Sequence, residues 1–339
     1  MKINNRRYVG SKYKLMPWIR ELIIENCSGT SFFDVFAGTG VVSDFLLQDF
    51  NEFYINDFLF SNEVIYKAFF DSGSYDYDKL KSLENVYASL NAKEIESNYV
   101  SENYGDKYFA FEDAKLIGYI REDIKNRYEE KSLNYREYCI LLASLLYSTD
   151  RCANTVGHYE AYFKNKNMGR SFVFELIEPS DTKGKAIHIF REDANELVKN
   201  ITADIAFVDP PYNSRQYSRF YHVLENICEW KKPELFGTAM KPAPENMSDY
   251  CRNSAPKVFD DLIQNLNTKY IVVTYNNTYH SKSNSSRNKI KLEEIEEILN
   301  KRGQTSCFEM PYRFFNAGKT DFSEHKEIVF ITKVGVFDE

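Results

Sequence analysis

The sequence predicts a doubly wound α/β fold: a mostly parallel sheet with helices on both faces, interrupted by a helical insertion. Three observations carry that expectation. Apolar runs of strand length alternate with stretches of helical periodicity toward both ends of the chain. A glycine turn, Phe36-Ala37-Gly38-Thr39-Gly40, closes the first of those strands and opens a helix. From about residue 71 to 185 the alternation stops, and the chain becomes rich in Tyr, Asn and Glu with only helical periodicity.

Taken in order, SFFDVFA (31–37) reads as a buried strand, and VVSDFLLQDF (41–50) after the glycine turn has helical spacing. EFYIND (52–57) is a second strand, so 31–57 form a strand–turn–helix–strand unit, and 61–70 are helical. Inside the insertion, 111–129 gathers Leu116, Ile117, Ile120 and Ile124 on one face, and 134–149 gathers Tyr138, Leu141, Leu142, Leu145 and Leu146. Alternation resumes with AIHIF (186–190), a short helix at 194–200, DIAFV (204–208) and a helix at 218–230. A proline-bearing loop (233–256) leads to a helix at 257–266, strand YIVVTY (270–275), a helix at 291–301 and a closing strand EIVFITKV (327–334). The chain of 339 residues therefore divides into one α/β domain, 1–60 with 186–339, and a helical insertion, 61–185.

Composition sets the limits. The six cysteines are scattered with no C-x-x-C pair, which argues against a zinc site and a disulfide framework and favours a reducing compartment. The start, MKINNRRYVG, lacks an apolar signal core, and no run of about 18 apolar residues occurs, so neither secretion nor a membrane span is expected. The formal charge of −7 taken alone speaks against a nucleic-acid partner. Its layout does not. Lys2, Arg6, Arg7, Lys12, Lys14 and Arg20 stand in 1–20 with no acid, and Lys269, Lys282, Arg287, Lys289 and Lys291 stand in 262–292 with none. Each exposed charge reaches only about 8–10 Å through salt, so an acidic chain can carry a basic groove.

Two motifs carry chemistry. In the glycine turn, Gly38 and Gly40 let the backbone approach a ligand at a helix start, although the third glycine of the dinucleotide fingerprint is absent. Asn56-Asp57 ends the second strand, and an acid there is placed to accept from ribose hydroxyls, so the pair points to an adenosine-type ligand. Asp209-Pro210-Pro211-Tyr212 follows the strand DIAFV at the carboxyl end of the sheet, where open α/β sheets bind ligands. Two prolines stiffen the loop and remove two N–H donors, leaving carbonyl acceptors beside a carboxylate. Those acceptors suit an exocyclic amino group, and Tyr212 offers a face for a planar base, worth about 1–3 kcal/mol.

These residues resemble the D12 class of adenine-N6 DNA methyltransferases, in particular the FokI-type modification methylases. Arg7-Tyr8-Val9-Gly10-Ser11-Lys12 is similar to that class's N-terminal cofactor motif, Phe36 to Gly40 to its F-x-G-x-G motif, and Asn56-Asp57 to its ribose-binding strand end. DPPYNSRQYSRFYHVLENI (209–227) matches well beyond the tetrapeptide. Further similarity lies in Ala153-Asn154-Thr155-Val156-Gly157-His158-Tyr159, in Thr274-Tyr275-Asn276-Asn277, and in Tyr312-Arg313-Phe314 with Lys326-Glu327. The resemblance implies a Rossmann-like doubly wound sheet and S-adenosyl-L-methionine as cofactor. Tyr8, Lys12, Asp57 and Asp209 would contact the cofactor, with Phe36, Gly38 and Gly40 lining its pocket. Lys12 is suited to its carboxylate. Asp193 would meet its adenine amino group or simply cap the helix at 194–200. Asp209, Pro210, Pro211 and Tyr212 would be catalytic, holding a flipped adenine for in-line methyl transfer.

Recognition of double-stranded DNA falls, by the same resemblance, to the insertion and the basic loops. The candidates are Arg151, Asn154, Lys164, Lys166, Arg170, Arg215, Arg219, Lys282 and Arg287. His158 and His222 are expected to be structural. A monomer that uses no metal is expected, cytoplasmic in a prokaryotic or phage setting and working beside a restriction endonuclease. Two other readings stay open: an RNA adenine-N6 methyltransferase, since the tetrapeptide reports the amino group and not the sugar, and a non-catalytic recognition subunit of the same fold.

Overall fold

A computed structural model of the chain describes residues 1–155, 157–164, 170–277, 287–311 and 326–335. The strands are β1 Ser31–Asp34, β2 Glu52–Asn56, β3 Ala186–Phe190, β4 Thr202–Val208, β5 Asn267–Asn276, β6 Gly303–Pro311 and β7 Lys326–Val334. They form one sheet in the order β3-β2-β1-β4-β5-β7-β6. The pairs among β3, β2, β1, β4 and β5 are parallel, and β7 runs antiparallel between β5 and β6. The mostly parallel α/β sheet expected from the sequence is therefore present. The order in which strands are added to the sheet reverses between β1 and β4, and the site lies at that switch point.

The helices are α1 Met16–Asn26, α2 Val41–Phe45, α3 Phe60–Phe70, α4 Tyr77–Ala88, α5 Tyr99–Tyr104, α6 Phe111–Glu129 and α7 Tyr135–Cys152, then α8 Ala194–Leu197, α9 Tyr217–Phe220, α10 His222–Glu229, α11 Ala255–Asn265 and α12 Leu292–Asn300. Successive strand residues point to opposite faces, and two apolar clusters follow. Phe32, Phe53, Phe207 and Val272 face a cluster with Ile19 of α1, Phe69 of α3, Leu141 and Leu145 of α7 and Leu224 of α10. Phe33, Val35, Val208 and Val273 face the other, with Leu197, Phe259, Leu262 and Ile295 of α8, α11 and α12. Helices of the 61–185 segment thus cover one sheet face and share its core. Asn134 and Glu137 close a capping box at the start of α7, each side chain accepting from the other's backbone N–H.

Several boundaries differ from the sequence expectation. The helix expected over 41–50 ends at Phe45, and the one expected over 218–230 breaks at Tyr221 into α9 and α10. Helix α1 was not expected, although Met16, Ile19 and Ile23 have helical spacing and are buried. Strand β6, GQTSCFEMP, was missed because it is an edge strand whose residues are mostly exposed or half-buried, so no apolar alternation marks it. No described helix is long and apolar enough to cross a membrane.

Candidate active site

The carboxyl ends of β1, β2 and β4 open into a cavity of about 660 Å³. At the β1 end, Ala37 N–H donates to the Asn56 carbonyl at 2.8 Å, which turns the chain over β2. Gly38 follows with φ +53°, and a Cβ there would lie 3.3 Å from the Tyr8 ring. Its N–H donates to Asp57 Oδ2 at 2.9 Å, and its carbonyl accepts from the Tyr66 hydroxyl at 2.7 Å. The other Asp57 oxygen accepts from Leu59 N–H at 2.9 Å. Burial raises the Asp57 carboxyl above its ordinary value against these hydrogen bonds. Asp57 therefore shapes the glycine turn as well as lining the cavity. Gly40, φ +76°, caps α2 and packs against Ile3 and Tyr66; it does not line the cavity.

The N-terminal segment forms another wall. The Tyr8 ring stacks on Tyr221 at 4.7 Å and on Tyr217 at 5.4 Å, with the Arg6 guanidinium over Tyr8 and Tyr221. Val9 N–H donates to the Tyr221 hydroxyl at 2.8 Å. Arg7 donates to the carbonyls of Ala153 and Thr155, at 3.2 and 3.4 Å, and to that of Asp150 near the end of α7. The segment is thereby pinned between α9, α10 and the end of α7. Tyr8, Lys12, Phe36, Gly38, Asp57, Asp193, Asp209 and Pro211 all line the one cavity. Asp193 Oδ1 accepts from Asn195 and Glu196 N–H, capping α8 at the cavity edge.

Asp209 sits at the end of β4, and the register Val208↔Val273 sets Thr274 of β5 beside it. Its Oδ1 accepts from the Thr274 hydroxyl at 2.7 Å, from Lys12 Nζ at 3.0 Å and from the Tyr212 hydroxyl. Lys12 Nζ also donates to the Tyr212 oxygen at 2.6 Å. The Tyr212 ring stands edge-on to Tyr275 at 4.6 Å, and its carbonyl accepts from Lys289 N–H at 2.8 Å. Burial and Asp209 raise the Tyr212 phenol well above its ordinary value, so it stays a neutral donor. Lys12, expected to serve only the cofactor, bridges the N-terminal motif to the tetrapeptide. Thr274, Tyr217 and Tyr221 were given no role from the sequence. Only strand register and the turn between α9 and α10 reveal theirs.

The residues expected at DNA scatter. Arg215 and Arg219 line a shallow cleft with His158 and Glu160. Arg151 pairs with Glu175 at 2.5 Å on the surface, while Lys164, Arg170 and Arg287 are exposed. Asn154 is buried, and its amide donates to the carbonyls of Lys107 and Phe163 at 3.0 and 2.9 Å; a base contact would break both. Val156, Lys166, Lys282 and Tyr312-Arg313-Phe314 lie outside the described residues. His222 lies between the carbonyls of Arg219 and Ala239 at 2.9 and 2.8 Å, and burial lowers its pKa to about 4. His158 stacks on Phe220 at 4.6 Å. Among the described residues no group of three His, Cys, Asp or Glu side chains is set to hold a metal ion.

A family model described as D12 class N6 adenine-specific DNA methyltransferase matches residues 8–284. The type II methyltransferase M.FokI of Planomicrobium okeanokoites is 31% identical over 96% of this chain and 52% of its own length. The modification methylase StsI of Streptococcus sanguinis is 33% identical over 95% and 50%. The type II methyltransferase M.NlaIII of Neisseria lactamica is 30% identical over 94% and 95%. The chain thus spans about half the length of the first two and nearly all of the third.

Proposed function

Because this chain belongs to the D12 class of N6 adenine-specific DNA methyltransferases, we propose that it methylates N6 of an adenine flipped out of double-stranded DNA, using S-adenosyl-L-methionine. The observation that carries the reading is the placement of Asp209. Asp209 lines the cavity together with Phe36, Gly38, Asp57 and Pro211, while Pro210 and Tyr212 stand next to it in the chain without lining that cavity. The cavity residues fit the cofactor, since any Cβ at Gly38 would press on Tyr8 and narrow the wall. Tyr8, Lys12, Phe36, Asp57 and Asp193 would hold it, and when bound it supplies an electrophilic methyl group.

The residues then have separable tasks. Asp209 and the Pro210 carbonyl accept the N6 hydrogens of the target, which leaves the nitrogen lone pair free for the methyl group. Thr274 fixes the carboxylate from β5. Tyr212 stacks on the base. Thr274, Tyr212 and Lys12 all meet Asp209 Oδ1, so Oδ2 is the oxygen left for the target amino group. Lys12 would also meet the cofactor carboxylate.

The relatives are named type II methyltransferases and modification methylases, which supports a modification enzyme; a monomer acting in a bacterial cytoplasm beside an endonuclease is part of the same proposal. Target recognition by 61–185 and the basic loops belongs to the same reading. Incubation with labelled S-adenosyl-L-methionine and unmethylated genomic DNA is expected to yield N6-methyladenine, and Asp209→Ala to abolish it. Full activity in that variant would refute the role of Asp209, and label appearing only in RNA would refute the substrate.

A further inference from the structure

A second cleft, about 500 Å³ and open to solvent, adjoins the cofactor cavity. Its walls come from distant segments: His158, Glu160 and Ala161 on one side, and Ser214, Arg215, Gln216 and Arg219 on the other. Gln216 lines both cavities. It is fixed there, accepting from Ser248 N–H at 2.7 Å and donating to the Ser248 carbonyl at 2.9 Å. The two cavities therefore meet at Gln216, and the cleft wall begins at Ser214, two positions after Tyr212 in the chain, so a strand that delivers a base to Tyr212 has this cleft for its next nucleotide.

The charges in the cleft are arranged for a nucleotide. Arg219 gives one nitrogen to the Pro242 carbonyl at 2.7 Å and pairs with no carboxylate among the described residues. Burial lowers its pKa and the Glu160 carboxylate partly opposes this, so Arg219 is a partly desolvated cation with one acid across the cleft. Glu160 supplies the opposite chemistry. Its carboxylate is anchored by Lys241 at 3.0 Å, and its N–H donates to His158 Nδ1 at 3.4 Å. His158 in turn lies flat on Phe220. A carboxylate in a phosphate site would repel the backbone, so its place is against a base edge, where an acid accepts from the exocyclic amino group of cytosine.

We propose that this cleft holds the nucleotide adjoining the flipped adenine, with Arg219 on its phosphate and Glu160 on the amino group of a cytosine. The proposal rests on the DNA-methylation reading above and adds a specificity-determining residue to it. Sequence-wide mapping of N6-methyladenine in a methylation-free host, for the wild-type chain and three variants, tests it. The wild-type motif is expected to hold a cytosine within two positions of the methylated adenine. Glu160→Gln is expected to relax that position about tenfold or more, a bidentate-scale loss of discrimination, while the rest of the motif and the cofactor affinity by calorimetry stay unchanged. Lys241→Met keeps the carboxylate and is expected to keep the cytosine. Arg219→Gln is expected to weaken DNA binding for all sequences alike and to lower the slope of log affinity against log salt by about one. A motif without that cytosine, an unchanged motif in Glu160→Gln, or equal relaxation in Lys241→Met overturns the proposal. A wild-type chain that leaves no N6-methyladenine at all refutes the underlying reading instead.

Discussion

Asp34 provides a test of the electrostatics beneath the site. It ends β1 with no exposed surface, accepts from the Ser43 hydroxyl at 2.7 Å on Oδ2, and has no partner on Oδ1. Burial raises its carboxyl from 3.8 to about 7; the Ser43 hydrogen bond opposes this, and Asp209 and Asp57 add to it. Between those two values the folded chain keeps a proton that the unfolded chain has released. Unfolding then sheds a proton, so stability falls as pH rises through the window. Integrating from pH 5 to pH 8 gives a loss of about 3 kcal/mol from this one group. Asparagine can still accept from Ser43 and does not titrate, so Asp34→Asn removes the term. Urea unfolding of both proteins at pH 5, 6, 7 and 8 isolates it, because every other group titrates in both. The variant is expected to gain about 3 kcal/mol on the wild type across the range, most of it below pH 7. A constant difference refutes the buried neutral acid, and a gain of the opposite sign means Asp34 is ionised and held by charge.

Thr274→Val removes one donor from Asp209 Oδ1; a hydrogen bond to a charged group is worth about 1.5–3 kcal/mol, so single-turnover methylation is expected to slow about 10- to 100-fold, with cofactor affinity within about twofold. Gly38→Ala forces a side chain into φ +53° against Tyr8; the left-handed conformation alone costs about 1–2 kcal/mol, and calorimetry is expected to show cofactor binding weakened about tenfold or more. DNA affinity is expected to fall more than about tenfold between 50 and 200 mM salt in a fluorescence titration, and a flat response would mean that the basic clusters do not meet phosphate.

The presence of β1, β2, β4 and β5 was legible because buried parallel strands are short, apolar and bounded by turns, and β3 and β7 were marked by short β-branched apolar runs. The edge strand β6 was not: both edges are poorly buried, but β3 keeps the apolar run AIHIF, whereas GQTSCFEMP mixes polar residues with no apolar run. The candidate site divides the same way. Gly38, Asp57 and Asp209 carry their meaning locally, in a turn or at a strand end. The pairing of Lys12 with Asp209, 197 positions apart, and the placing of Thr274 by β5 register exist only after folding. Asn154 shows the converse: a polar residue inside a motif-like string invites a contact role, yet its amide is needed to satisfy two backbone carbonyls.

The charge of −7 yields to the same distinction between sequence and place. Many carboxylates are spent inside the fold. Glu225 accepts from Phe60 and Ser61 N–H at the start of α3, Asp204 from Thr30 and Ser31 N–H, and Glu137 pairs with Lys79 while capping α7. A carboxylate neutralised by backbone N–H groups or a lysine projects little field beyond a few ångströms. Arg219 is different: it donates to a neutral carbonyl, that of Pro242, so its charge is still available to a phosphate. The net charge counts both kinds equally. What a polyanion meets is the unspent remainder, and at the cleft lined by Gln216 and His158 that remainder includes the cation of Arg219.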